Sequence, residues 1–185
     1  MRVVFLDRDG VISKDRTDYI KSWEEFEFIP GSLEAIKKLS ENGFTPILIT
    51  NQSVINRGMV TRDGLAYIHG KMTDAITFYG GKIESIYYCP HTPDNGCNCR
   101  KPKPGLIFQA QKDYNLDLST IAMIGDSMKD MVVAVEAGCG MAILVRTGKG
   151  KTTEKRLKEE GVKVDYIADD LLDAVEWLIA QTRRI

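Results

Sequence analysis

The sequence has no surplus of positive charge: 25 Lys and Arg stand against 26 Asp and Glu. A protein that follows DNA or RNA through its phosphates needs a cationic face, so nucleic acid is not an expected partner. It also lacks an apolar run of the ~18 residues that a membrane helix requires. Its opening, MRVVFLD, runs into two carboxylates where a signal peptide would carry an apolar stretch. No membrane association and a cytoplasmic location are therefore expected. A disulfide framework is missing too. Of the four cysteines, Cys89, Cys97 and Cys99 crowd together beside one of only two histidines, which suggests metal ligation in a compartment that keeps thiols reduced. There is no internal repeat, no low-complexity stretch and no linker rich in Pro or Ser. At 185 residues, 43% of them hydrophobic, the chain suits one core rather than two. A single domain over 1–185 and a monomer are expected.

Short apolar runs rich in β-branched residues recur at 3–6, 46–49, 83–88, 121–124, 142–145 and 166–168. Runs of this length suit strands buried on both faces. Helical spacing falls between them. Leu33, Ile36, Lys37 and Leu39 mark one helix, and Leu65, Ile68, Met72, Ile76 and Tyr79 mark a longer one. Further helices are read near 105–114, 128–138 and 169–181. Strands alternating with helices imply right-handed crossovers and a parallel sheet covered on both faces, an α/β three-layer α/β/α sandwich. Two irregular stretches, 10–30 and 89–104, follow the carboxyl ends of strands, where open α/β sheets place ligands.

Those strand ends carry the chemistry. The first closes as Leu6-Asp7-Arg8-Asp9-Gly10, with two carboxylates two residues apart and able to share a face. Taken alone this is equally an Asp-rich turn closed by glycine. The second ends Ile49-Thr50-Asn51-Gln52-Ser53 and delivers a hydroxyl at the same edge. The fourth ends Gly125-Asp126-Ser127-Met128-Lys129-Asp130. A lone Thr or Asp there is more often a helix cap; three such strand ends together point to one site. Arg100-Lys101-Pro102-Lys103-Pro104 supplies cations in a segment its prolines keep out of helix.

Cys89, His91, Cys97 and Cys99 form C-x-H-x5-C-x-C, three thiolates and an imidazole suited to tetrahedral Zn²⁺ with no open position for catalysis. The role expected is structural: the metal orders a loop rich in Pro, Asp, Asn and Gly and aims the adjoining Arg100 and Lys101. Cys139 reads as a buried small residue, and His69 receives no role.

In DRDG, the Thr of ITNQS, the Lys of KPKP and GDSMKD, taken in order, the chain resembles the haloacid dehalogenase superfamily over nearly its whole length. The resemblance implies that Asp7 is a nucleophile that becomes phosphorylated and Asp9 the general acid and base. It assigns Thr50 and Lys101 to the transferring phosphoryl group. It places Mg²⁺ on Asp7, Asp126 and the backbone carbonyl of Asp9; Asp130, on the same strand end as Asp126, is by its chemistry a candidate partner behind the metal. The Cys/His loop, RKPKPG, TNQS and VRTGK look like the heptose bisphosphate phosphatases, whose relatives the histidinol phosphatases share that loop. A small phosphorylated sugar is then the expected substrate. The spacing leaves no room for a separate cap domain, so substrate contacts are expected from Asp15, Asp18, Asn51, Gln52, Ser53, Arg57, Arg100 and Ser127. Arg100 is the first candidate for a second phosphate. Three residues depart from the heptose pattern: Ser13, and Val54 and Ser127 in loops expected to face substrate.

Overall fold

A computed structural model describes residues 1–182 of the protein. Six strands, β1 (Arg2–Leu6), β2 (Phe44–Asn51), β3 (Ser85–Cys89), β4 (Ala122–Gly125), β5 (Met141–Val145) and β6 (Tyr166–Ala168), form one sheet in the order β3-β2-β1-β4-β5-β6. Every neighbouring pair is parallel. The helices are α1 (Ser32–Glu41), α2 (Arg62–Tyr79), α3 (Gly105–Tyr114), α4 (Met128–Ala137), α5 (Gly150–Glu160) and α6 (Leu171–Thr182).

The two-residue period of a strand sorts the core into two halves. Val4 and Leu6 of β1, with Leu48 and Ile124, pack under α1, α2 and α6. Val3 and Phe5, with Ile47, Ile49 and Met123, pack under α3, α4 and α5. The expected three-layer sandwich results, with the central strands buried on both faces. β3 departs from that expectation: four of its five residues are only partly buried, because it lies at the sheet edge.

One helix was not legible. α5 reads GKTTEKRLKEE and buries only Gly150, Thr153 and Leu157, so a single large apolar residue leaves no periodic signal. Its support is charge, with Arg156–Glu160 and Glu154–Lys158 pairs one turn apart. α6 begins two residues later than predicted, where the Asp173 amide donates to the Asp170 carboxylate at 3.0 Å.

The chain builds outward from β1 to β3, then crosses back to lay β4 on the other side of β1. Loops leaving β1 and β4 therefore diverge and open a crevice at the carboxyl edge, as in other open α/β sheets. Leu6 is level with both Leu48 and Ile124. Asp7, Thr50 and Asp126 thus emerge within about one residue of the same height.

Candidate active site

At that crevice Asp7, Asp126 and Asp130 bring carboxylate oxygens within 4.8 Å of one another, all three residues buried. Gly10 allows the approach. It has φ of 85°, and a Cβ there would fall 2.1 Å from Asp126 Oδ2, so only glycine fits. The Lys149 amide donates to Asp126 Oδ2 at 2.7 Å, and the Thr147 hydroxyl donates to the Gly10 carbonyl at 2.6 Å, which joins the loop after β5 to the loop after β1.

Lys101 is 2% exposed and reaches this cluster from the Cys/His loop. Its ammonium lies 3.0 Å from Asp7 Oδ1 and 2.6 Å from Asp130 Oδ1, and it donates to the Ile49 carbonyl at 2.7 Å. Three oxygens thus surround the ammonium, two of them carboxylate. Burial alone would lower its pKa, but Asp130 and Asp7 outweigh it and raise the group above its ordinary value. Asn51 fixes the lysine from β2: its side chain accepts from the Lys101 amide at 3.0 Å and donates to the Lys101 carbonyl at 3.2 Å.

Three buried carboxylates against one buried ammonium leave the cluster short of positive charge. Burial is the first cause pushing Asp7 up to about 6, Lys101 opposing and Asp130 and Asp9 adding to it. Burial, then Asp130 and Asp7, push Asp126 up to about 8. Oxygen ligands with unbalanced negative charge suit a hard divalent cation such as Mg²⁺. Asp130 has less to offer it, because Oδ1 holds Lys101 and Oδ2 accepts from the Ser127 amide and hydroxyl at 3.0 and 2.6 Å.

Asp9 faces a different set of partners. Its carboxylate receives Arg8 Nε at 3.0 Å, Arg8 Nη2 at 2.7 and 2.9 Å, Gln52 Nε2 at 2.8 Å and the Ser13 hydroxyl at 3.1 Å. Burial would raise this carboxyl, yet the Arg8 guanidinium and these hydrogen bonds leave it below its ordinary value. Thr50 is 1% exposed and its hydroxyl accepts from Gln52 Nε2 at 2.9 Å.

A cleft of about 490 Å³ opens over these groups. Asp7, Asp9, Thr50 and Lys101 line it, together with Asp15, Asn51, Ser53, Arg100, Asp126 and Ser127. Three residues expected to touch substrate are not in its wall. Asp18 pairs with Arg16 and Lys21 at the surface. Gln52 is buried with its amide spent on Asp9 and Thr50. Arg57 lies over the Tyr19 ring at 5.4 Å. Of the departures from the heptose pattern, Ser13 sits under Asp9, and Val54 is 1% exposed, packs with Val60 and Leu65, and also lines a small hollow together with Asp9, Asp15 and Asn51. The cleft also carries Arg16, Thr17, Tyr19, Lys129 and Lys149, to which the sequence reading gave no role. VRTGK held the signal for Lys149, and GDSMKD that for Lys129.

The four predicted zinc ligands converge. Cys89 Sγ lies 3.5 Å from His91 Nδ1 and 3.6 Å from Cys97 Sγ, and Cys99 Sγ lies 3.2 Å from both Cys89 Sγ and His91 Nδ1. Thiolates bound to one tetrahedral Zn²⁺ at about 2.3 Å would be ~3.7 Å apart, so this quartet is nearly at metal-binding separation and too open for a disulfide. Arg100 Nη1 donates to the His91 carbonyl at 2.8 Å, tying the cation at the cleft wall to the ligand loop. Cys139 stands apart from the quartet and, against the expectation of a buried residue, is only partly buried after the α4 C-terminus, though enough to push its thiol up to about 12.

Two family models match the chain. One, described as HAD-hydrolase-like, covers residues 98–174, and one described as polynucleotide kinase 3 phosphatase covers 2–132. The D-glycero-beta-D-manno-heptose-1,7-bisphosphate 7-phosphatase of Bordetella bronchiseptica is 40% identical over 98% of this chain and 99% of that protein. The Pseudomonas aeruginosa enzyme of the same name is 44% identical over 91% and 93%. The crystal structure of the B. bronchiseptica D,D-heptose 1,7-bisphosphate phosphatase with magnesium and phosphate superposes with a TM-score of 0.92 at 39% identity, covering 98% of this chain and 99% of that one. Identity of this order along nearly the whole of both chains, on a matching fold, means that the chain belongs to the haloacid dehalogenase superfamily and, within it, to the family of the heptose bisphosphate phosphatases, and that it is a phosphoric monoester hydrolase.

Proposed function

We infer that the protein removes the C7 phosphate of D-glycero-D-manno-heptose 1,7-bisphosphate through an aspartyl-phosphate on Asp7. The observation that carries this reading is the cleft itself. A buried carboxylate and ammonium, Asp7 and Lys101, sit at its base, and Arg100, Lys129 and Lys149 line its wall. That is one pole for the phosphoryl group being transferred and a cationic wall for a second anion. Where heptose phosphatases usually carry Lys at position 127, this chain has Ser127, and Lys129 supplies a cation from the same turn.

An Asp7 carboxylate oxygen attacks phosphorus, the bond to the C7 oxygen breaks, and Asp9 gives that oxygen a proton. Asp9 next takes a proton from water, whose oxygen attacks phosphorus and releases the Asp7 carboxylate and inorganic phosphate. Lys101 and the Thr50 hydroxyl stabilise the negative charge on the equatorial oxygens in both steps. Mg²⁺ held by Asp7, Asp126 and the Asp9 carbonyl would neutralise the carboxylate surplus and polarise the phosphoryl group. Zn²⁺ on Cys89, His91, Cys97 and Cys99 would hold the loop that presents Arg100 and Lys101.

Phosphate release measured on both anomers of the heptose bisphosphate, on sugar monophosphates, on histidinol phosphate and on a 3′-phosphorylated oligonucleotide tests the reading. The highest kcat/KM is expected on a heptose 1,7-bisphosphate, with the 1-phosphate retained. A preference for histidinol phosphate or for the oligonucleotide would overturn it.

A further inference from the structure

His69 is a buried titratable group that the reaction above does not use. It projects inward from α2, 7% exposed, with its ring edge-on to Tyr88 at 6.0 Å. Its Nε2 lies 3.1 Å from Arg8 Nη1. A guanidinium only donates, so Nε2 must be the accepting nitrogen, which places the ring proton on Nδ1. Burial, and then the Arg8 charge, push the imidazole down to about 3, so the ring stays neutral.

Arg8 is itself 1% exposed, a charged side chain that is stable there only because each edge of its fork is occupied. Nη1 meets His69, while Nε and Nη2 meet Asp9. Arg8 and Gln52 present N–H donors to the Asp9 carboxylate, and the Ser13 hydroxyl donates to it as well. Of these partners only the Ser13 hydroxyl could accept an O–H from a protonated Asp9, by turning its own proton to the Arg8 carbonyl 3.4 Å away. The N–H donors of Arg8 and Gln52 therefore favour Asp9 as a carboxylate, the form that accepts a proton from water.

We propose that His69 is a positioning residue acting through Arg8, and that it serves the second half-reaction, hydrolysis of the phosphorylated Asp7, by holding Asp9 in place as the base. The proposal rests on the reading of Asp9 as the proton-transferring group. The chain of contacts from α2 to His69, Arg8 and Asp9 reaches the cleft without His69 entering its wall.

An aryl phosphate separates the two half-reactions, because a nitrophenolate leaves without needing a proton. Rapid mixing of Mg²⁺-loaded enzyme with p-nitrophenyl phosphate reads phosphorylation of Asp7 as a burst and its hydrolysis as the steady rate. His69→Asn places an amide near Nδ1 but falls short of Arg8, whereas His69→Gln places one near Nε2. In His69→Asn the burst rate is expected within about twofold of the parent while the steady rate falls about tenfold or more, toward the ~10²- to 10⁴-fold range for loss of a general base. His69→Gln is expected to recover most of that loss. If burst and steady rate fall in proportion, if neither changes, or if His69→Gln is no better than His69→Asn, the proposal is overturned. If His69→Asn does not fold, Arg8→Lys repeats the comparison, since it keeps the charge but not the fork. An equal loss in both phases there also overturns it. Asp9→Asn run in parallel distinguishes the two levels. Full turnover in that variant removes Asp9 from proton transfer altogether, while a slow Asp9→Asn beside an unaffected His69→Asn removes only the role of His69.

Discussion

Asp7 is held in a position that is poor for stability. It is buried, it faces Asp126 and Asp130, and its carboxyl is pushed up to about 6. Such strain is typical of sites shaped for reaction, where stability and activity compete. Asp7→Asn removes one charge from the cluster while leaving Lys101 paired to Asp130 and to the Ile49 carbonyl. Turnover is expected to fall below detection, because an amide cannot form the acyl phosphate. The urea midpoint of the metal-free variant is expected to equal or exceed that of the parent. Phosphate-release assays and equilibrium unfolding on the same preparation check both halves. Measurable turnover would take Asp7 out of the nucleophile role, and a lower midpoint would show that its charge is not a burden on the fold.

The element with most influence on the cleft beyond the sheet is the loop from Cys89 to Lys101. It leaves the edge strand β3, carries the four clustered ligands, and ends in the lysine that Asn51 clamps from β2. Cys99→Ser is expected to abolish bound Zn²⁺, because a structural site draws roughly 10–16 kcal/mol from a full ligand set. The sheet does not depend on the loop, so far-UV circular dichroism should hold. Arg100 would lose the anchored His91 carbonyl and Lys101 its fixed approach. A rise in KM together with a fall in kcat is expected, roughly 10–100-fold in kcat/KM, as for other groups that orient functional residues. Metal analysis with steady-state kinetics checks this, and unaltered kinetics in zinc-free protein would show that the loop does not aim these cations.

For the molecule as a whole, the carboxylate cluster links stability to pH and to metal. Asp7 and Asp126 have folded pKa values raised to about 6 and about 8, above the ordinary carboxylate value of about 4. Between those limits the folded state binds more protons than the unfolded one, so stability falls as pH rises. The melting temperature of chelator-treated protein should drop from pH 5 to pH 8, and Mg²⁺ should restore more of it at pH 8, where the carboxylates it neutralises are ionised. A scan of melting temperature against pH with and without Mg²⁺ checks this; a metal-free protein that gains stability over that interval would contradict it. What could be read without coordinates has a common cause. The strands are short, apolar and buried, so the residues ending them, Asp7, Thr50 and Asp126, stand out locally, and the four cluster ligands lie between Cys89 and Cys99 in one loop. The remainder depends on which strands are neighbours. Arg8 meeting His69, Asn51 clamping Lys101, Lys149 capping Asp126, and the retreat of Gln52 and Asp18 from the cleft all follow from the strand order and from competing hydrogen bonds. α5 escaped for the opposite reason, since it is held by charge pairs and one leucine rather than by an apolar face. Hydrophobic period is a local property and was therefore decided by the sequence alone, whereas the partner of a buried charge is chosen only when segments distant in the chain are brought together.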